Sequence, residues 1–379
     1  MKTVYRPTIA TIDLQALEYN FQTLKSLVPP AVGILGMVKA DAYGHGAVQV
    51  SQKLIENQID VLGVATVEEG IELRQAKIEA PILVMGGLMG MGGPATDGMV
   101  ESNLIPVVHS KDVLDCLELA AQKYGRQLSV HLKVDTGMSR LGVRPEFLSP
   151  LLEGLAKSKS IRVEGVMTHL AAAEDKDYTT FQLEVFLRAK QEIEKKLGEI
   201  PVWHFSNSAA IIAQRSLAKF KAAKIWVRPG IALYGYADGL KLPPEIKLKP
   251  VMGVQSKIAL LKRVPQGTAV SYGCTFKTAK DSRLGAVPIG YADGYRFNFT
   301  DKAYVLVRGK RAPVVGRVTM DMIMVDVTNL PEISVGDDVV ILGSQGNEQI
   351  TADEMASWID SISYEILCGI SRRIPRIYK

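Results

Sequence analysis

Along the first 240 positions, apolar residues fall in short unbroken runs, separated by longer segments whose apolar and charged residues recur at helical spacing. The runs are VGILGMVKA, DVLGVAT, APILVMGG, LIPVVHS, LSVHLKVDTG, VEGVMTHL, PVWHFSNS and KIWVRPGIALYG. The helical stretches between them include VEEGIELRQAKI, KDVLDCLELAAQKYG and TTFQLEVFLRAKQEIEKKLG. Residues 14–28 read as an opening helix, with Asp13 as N-cap and Pro29-Pro30 as the stop. None of the eight runs alternates, which is the pattern of parallel strands covered on both faces. Eight strand–helix units in about 250 residues make the size of a (β/α)₈ barrel. A doubly wound sheet competes with it, but no early strand–helix turn carries a Gly-x-Gly-x-x-Gly fingerprint.

Near residue 240 the pattern changes. KLPPEIKLKP is rich in proline and lysine, a natural boundary. Beyond it the runs are shorter and alternate more: PVMGVQSKIALLKRV, AVPIGYADGY, AYVLVRGKRAPVVGRVTMDMIMVDVT and DDVVILG. Turn signals at Arg308-Gly309-Lys310 and Val335-Gly336-Asp337 separate them. The expected organisation is an α/β barrel over residues 10–240 and a mainly antiparallel β domain over 241–379, joined by the extended residues 1–9. TADEMASWID reads as a short helix capped by Thr351.

Composition narrows the function. The net charge of +5 is spread along 379 residues without a basic block, which argues against nucleic acid as a partner. Three cysteines, Cys116, Cys274 and Cys368, have no metal-ligand spacing and cannot all pair, so a reducing compartment is expected. The start lacks a signal-peptide core, and no segment approaches about 18 continuous apolar residues. A cytoplasmic chain with no membrane partner is the expectation.

Barrel enzymes place their sites at the C-terminal ends of the strands. Here those ends carry Lys39, then Lys133, Asp135 and Arg140, then Thr168-His169, then Ser206-Asn207-Ser208, then Arg228-Pro229-Gly230-Ile231. Each residue alone has a bland reading. Lys39 could snorkel to water, Ser208 could cap the helix that follows it, and His169 could be a satisfied structural histidine. Together they form a basic mouth. The last two loops offer backbone N–H groups where a phosphate binds in many barrels. A phosphorylated ligand facing a strand-end lysine suggests pyridoxal phosphate, whose aldehyde forms a Schiff base with lysine. No metal is expected, because His45, His109, His131, His169 and His204 lack ligand spacing. The glycine-rich stretch 85–99 lacks a P-loop ending and reads as a mobile loop. In the second domain VSYGCTF, IGYADGYRFN and RVTMDMIMVDV present Tyr272, Tyr291, Met320 and Asp321, and Tyr364 lies near the end. A lone tyrosine is more often packing than catalyst, yet one placed beside cations can act as a general base.

These blocks taken in order resemble the alanine racemase family over nearly the whole chain. VKADAYGHG resembles its pyridoxal-lysine signature, with Asp41 where many members have asparagine. HLKVDTGMSRLG, MTHL, NSAA, VRPGIALYG, SYGCTF, PIGYADGY, GRVTMDM and the YE…C.IS.R.PRIY ending follow suit. The resemblance implies a homodimer with shared active sites that interconverts L- and D-alanine on pyridoxal 5'-phosphate and supplies peptidoglycan synthesis. It implies Lys39 as Schiff-base lysine and one base, with Tyr272 of the other subunit as the opposing base. Tyr43, Asn207, Ser208, Gly230, Ile231 and Tyr364 would hold the cofactor, Arg228 would face its pyridine nitrogen, and His169 would bridge Arg228 towards Tyr272. Arg140, with Met320 of the other subunit, would bind the substrate carboxylate. Lys133 matches a position that can be carbamylated, and Tyr291 and Asp321 would line the access path. The alternatives are a serine or broad-specificity racemase and, from another class, a non-catalytic pyridoxal phosphate carrier, which would resemble the barrel alone.

Overall fold

A computed structural model of the chain describes residues 5–88, 92–213, 220, 222–237, 239–240, 242–330 and 332–379. Strand β1 (Ile9–Ile12) leads into a helix over Leu14–Ser26, where the Asp13 carboxylate accepts the Ala16 N–H at 2.8 Å. Eight strands then close into a barrel: β2 (Gly33–Met37), β3 (Val61–Val64), β4 (Ile82–Val84), β5 (Ile105–Val108), β6 (Leu128–Lys133), β7 (Ile161–Met167), β8 (Val202–Asn207) and β9 (Lys224–Arg228). Each pairs in parallel with the next, and β9 closes on β2 through Gly33↔Trp226 and Ile34↔Val227. Gly33 permits that closure, since a Cβ there would stand 2.4 Å from the Trp226 ring. Every residue of β2, β3 and β4 is buried, because the barrel interior takes one face and the helical layer the other.

The glycine-rich stretch corrects one expectation. Residues 89–91 lie outside the described residues, but Pro94–Glu101 is a helix with proline in its first turn, not part of a loop.

After the barrel, Met252–Lys257 alternates more and less buried residues, as a strand with one covered face does. It lies in a seven-stranded sheet in which Lys310–Pro313, Tyr304–Val307, Asp338–Gln345, Met252–Lys257, β1 and Arg376–Tyr378 follow in that spatial order, and Glu348–Ile350 pairs with Asp338–Gln345 off that path. The pairings are antiparallel except that of β1 with Arg376–Tyr378. The sheet's share of the N-terminus thus runs to Ile12, beyond the expected residue 9, while residues 1–4 lie outside the described residues. A smaller antiparallel sheet joins Leu260–Val264, Ser282–Val287 and Ile323–Asp326. Thr351 caps the helix Ala352–Ser357, as read from the sequence. One hydrophobic cluster runs through both regions, so barrel and sheets share a core. Among the described residues no helix is long and apolar enough to cross a membrane.

Candidate active site

A cavity of about 700 Å³ opens at the C-terminal ends of the barrel strands. Ten of the residues read from the sequence line it: Lys39, Tyr43, Lys133, Arg140, His169, Asn207, Ser208, Arg228, Gly230 and Tyr364. The lining holds four basic side chains and no carboxylate. Burial, then Arg140, pulls the Lys39 ammonium below the usual lysine range. Burial, with Arg228 and Arg140 behind it, brings Lys133 to about 8. Arg140 makes no hydrogen bond or ion pair with the described residues, so its guanidinium is uncommitted.

Arg228 is buried at the end of β9 and held from several sides. Its Nη2 donates to the carbonyls of Thr168 at 2.7 Å and Phe205 at 3.2 Å. It also lies 3.1 Å from Nδ1 of His169, while Nη1 lies 3.2 Å from Nδ1 of His204. A guanidinium can only donate, so both histidines accept at Nδ1 and carry their proton on Nε2. His204 then donates that Nε2 proton to Nδ1 of His131 at 2.7 Å. Burial pushes His131 down to about 3, and burial followed by Arg228 holds His169 and His204 well below the ordinary histidine range. Neutral imidazoles therefore surround Arg228, and burial lowers the guanidinium itself only to about 9.

Lys39 and Tyr43 sit on a strained turn. Ala40, Asp41, Ala42 and Tyr43 have φ of 53, 54, 52 and 54°, a left-handed turn without a glycine. Such residues cost roughly 1–2 kcal/mol each, so the surroundings must hold them. Glu69 accepts the Ala40 N–H at 2.7 Å, and Asp41 accepts the Ala47 N–H at 2.8 Å. Glu69 is a residue that sequence reading missed; its signal was the Thr66–Glu69 capping box that opens Val67–Gln75. The Tyr43 hydroxyl abuts Gly230, where an added Cβ would lie 2.5 Å from it. Ser208 Oγ accepts the Gly230 N–H at 2.8 Å and the Ala232 N–H at 3.3 Å. The cap of the following helix is Asn207, not Ser208: Asn207 Oδ1 accepts the Ala210 N–H at 3.0 Å. Ile231 is fully buried and its side chain does not line the cavity. Met85, Met138, Leu141, Leu170 and Ile362 do line it, and as apolar residues they carried no chemical signal in the sequence.

Tyr272, Tyr291, Met320 and Asp321 stand outside this chain's own cavity. Tyr272 is 73% exposed on a turn where Ser271, Gly273 and Cys274 all have positive φ. Ser271 Oγ donates to the Arg317 carbonyl at 2.6 Å, fixing the turn against the segment that leads to Met320. The Tyr291 N–H donates to the Thr319 carbonyl at 3.0 Å, and the Ala292 N–H to that of Met320 at 3.1 Å. Tyr272, Tyr291, Met320 and Met322 are all exposed, on turns that these bonds tie to the 317–320 segment, while Asp321 pairs with Arg373 at 2.7 Å.

Residues 12–238 match the family model "Alanine racemase, N-terminal domain", and residues 251–378 match "Alanine racemase, C-terminal domain". The chain is 43% identical to an alanine racemase of Halothermothrix orenii over 381 residues, covering 100% of this chain and 98% of that one. The alanine racemase of Clostridium difficile 630 superposes with a TM-score of 0.91 at 35% identity, covering 100% of this chain and 97% of that chain. The Bartonella henselae alanine racemase, solved with covalently bound pyridoxal phosphate, gives a TM-score of 0.85 at 29% identity over 98% and 99%.

Proposed function

We propose, from the premise that the chain belongs to the alanine racemase family, that it interconverts L- and D-alanine with pyridoxal 5'-phosphate. The observation that carries this reading is a half-buried lysine of lowered basicity in a cavity lined by four basic side chains and no carboxylate. Such a lining suits a ligand with several negative charges. The residues present fit the cofactor. Close packing of Tyr43 on Gly230 leaves no room for a Cβ, and Ser208 ties the two loops together beside them. Tyr43, Asn207, Ser208, Gly230, Ile231 and Tyr364 would hold the phosphate end, and Arg228 would face the ring nitrogen. When bound, pyridoxal 5'-phosphate supplies an aldehyde that condenses with Lys39 and a ring that takes up the electron pair left by the α-proton.

The chain's own groups do the rest. The uncommitted Arg140 fork binds the substrate carboxylate, with the Met320 backbone of a partner subunit beside it. Lys39 Nζ takes or returns a proton on one face of the α-carbon. Tyr272 of a partner subunit does so on the other, since one base alone would tend to return the proton to the face it left. The His169 Nε2 proton is left over once Nδ1 meets Arg228, and it would bridge towards that tyrosine. Arg228 keeps its charge, and a cation opposite the ring nitrogen disfavours protonation there. Lys133, at about 8, is partly a free amine near neutral pH, and its carbamate would set a carboxylate against Arg140. Tyr291 and Asp321 would line the access path from the partner's sheet domain, whose exposed Tyr272, Tyr291 and Met320 are side chains that a head-to-tail homodimer would cover. The D-alanine made would feed peptidoglycan synthesis, and three free cysteines suit a reducing cytoplasm.

The test is chiral analysis of an amino-acid panel incubated with the chain and the cofactor, with borohydride trapping alongside. Label on Lys39 and racemisation of alanine ahead of serine are expected. Label elsewhere, or no inversion of any amino acid, would sink the reading; equal rates on many amino acids would replace alanine specificity with breadth.

A further inference from the structure

His45 closes the motif GMVKADAYGHG, and nothing in the chemistry above uses it. The ring is fully buried, and its Nδ1 lies 2.9 Å from two carbonyls, those of Ala42 and Tyr43. Two acceptors on one nitrogen fix the tautomer: Nδ1 carries the proton and is shared between them. Both carbonyls belong to the left-handed turn that bears Lys39 and Tyr43. The next carbonyl, that of Gly44, is taken by Arg376 at 2.9 and 3.1 Å. On its flat side the imidazole lies 4.5 Å from the ring of Tyr234, which lies 4.8 Å from that of Tyr43. Tyr234 is anchored in turn by donation to the Met37 carbonyl at 2.8 Å. An apolar ring could fill the same space, but it would strip the Tyr43 carbonyl of its side-chain donor and leave the Ala42 carbonyl with the His45 backbone N–H, at 3.1 Å.

The geometry points to His45 as a positioning residue: its Nδ1–H clamps the left-handed turn so that the Tyr43 hydroxyl is held against Gly230, ready for the phosphate of the cofactor. This rests on the phosphate reading of Tyr43 given above. Burial pushes the imidazole down to about 4, so the clamp stays neutral and in one tautomer at physiological pH. The groups around it agree, because the nearby Arg376 cation disfavours a second charge and the Tyr43 and Ala42 carbonyls are the only acceptors it meets among the described residues.

Two polar variants separate the clamp from mere packing. Asparagine carries its amide nitrogen where Nδ1 stands, whereas glutamine carries it one bond further out. Wild type, His45→Asn and His45→Gln are titrated with pyridoxal 5'-phosphate and with pyridoxal, following the visible imine band. Expected is a loss of about tenfold or more in the preference for the phosphorylated compound in His45→Gln, with His45→Asn within about threefold of wild type, a tenfold change being 1.4 kcal/mol. If both variants keep the preference, or both compounds weaken equally in both variants, the clamp is overturned. A wild-type chain that forms no imine with either compound overturns the cofactor reading instead. Hydrogen exchange at the Ala42 and Gly44 amides then still decides the clamp: faster in His45→Gln supports it, and unchanged overturns it.

Discussion

The barrel mouth and the sheet-domain loops treat their reactive groups in opposite ways. The barrel buries Lys133 and Arg228 and much of His169 and Lys39, shifts their proton affinities, and holds Arg228 through named hydrogen bonds. The sheet domain sets Tyr272 and Met320 on strained or tight turns and leaves them more than half exposed. Rigid backbone under an exposed large side chain is the arrangement expected of a group that acts on a neighbour. On the proposed reading, one half of the site lies within the chain, and the other half would come from a partner subunit.

The hardest test of that contrast mixes two dead proteins. Lys39→Ala and Tyr272→Phe should each lower kcat by about a thousandfold or more. Subunits mixed in equal amounts and allowed to exchange should regain about one quarter of wild-type activity, because half the dimers then hold one intact site of two. No recovery would mean that the two halves do not meet across subunits.

Acid should attack the two regions unequally. All five histidines, His45, His109, His131, His169 and His204, lie in the barrel, and burial holds each below its ordinary value. The unfolded chain binds those protons below about pH 6.5 and the folded barrel refuses them, so stability present above pH 6.5 is lost as the pH falls. For His45, from 6.5 to about 4, the loss is about 3 kcal/mol. Fluorescence from Trp203 and Trp226 in the barrel should change at higher pH than exchange protection in the histidine-free sheets. Coincident transitions would show that the shared core makes them one unit.

A smaller effect is expected at Arg140. Arg140→Lys keeps the charge but loses the fork, and should lower kcat/KM by about tenfold to a hundredfold, mainly through KM. An effect on kcat alone would put Arg140 elsewhere in the reaction. The smallest change is at the contact between regions. Asp41→Asn keeps the acceptor for the Ala47 N–H and gives up an ion pair with Arg372 at 3.7 Å and a longer-range attraction to Arg376. Thermal unfolding should place it within about 0.5 kcal/mol of wild type.

The eight barrel strands were legible because burial on both faces writes itself as unbroken apolar runs. The cations at their ends were legible because charge next to such runs is conspicuous. The left-handed turn was not. Ala40, Asp41, Ala42 and Tyr43 have no glycine to announce positive φ, and the hydrogen bonds that brace the turn come from distant Glu69 and Arg376 as well as from neighbouring His45. The helix at Pro94 was hidden by surrounding glycines, although proline in a first turn is a start signal. Asn207 and Ser208 are both good caps, and only the loop carrying Gly230, which recruits the serine hydroxyl, decides between them.

Strand β1 pairs on one side with Met252–Lys257 and on the other with Arg376–Tyr378, almost the last residues of the chain. A ribosome therefore releases this strand long before either neighbour exists. The barrel can close while synthesis continues, but β1 waits with both edges open until Met252–Lys257 emerges, and with one edge open until residues 376–378 do. Such an edge invites pairing with other nascent chains. Loss of residues 376–378 should therefore be more damaging than three residues suggest, leaving a formed barrel with an unsatisfied edge on β1.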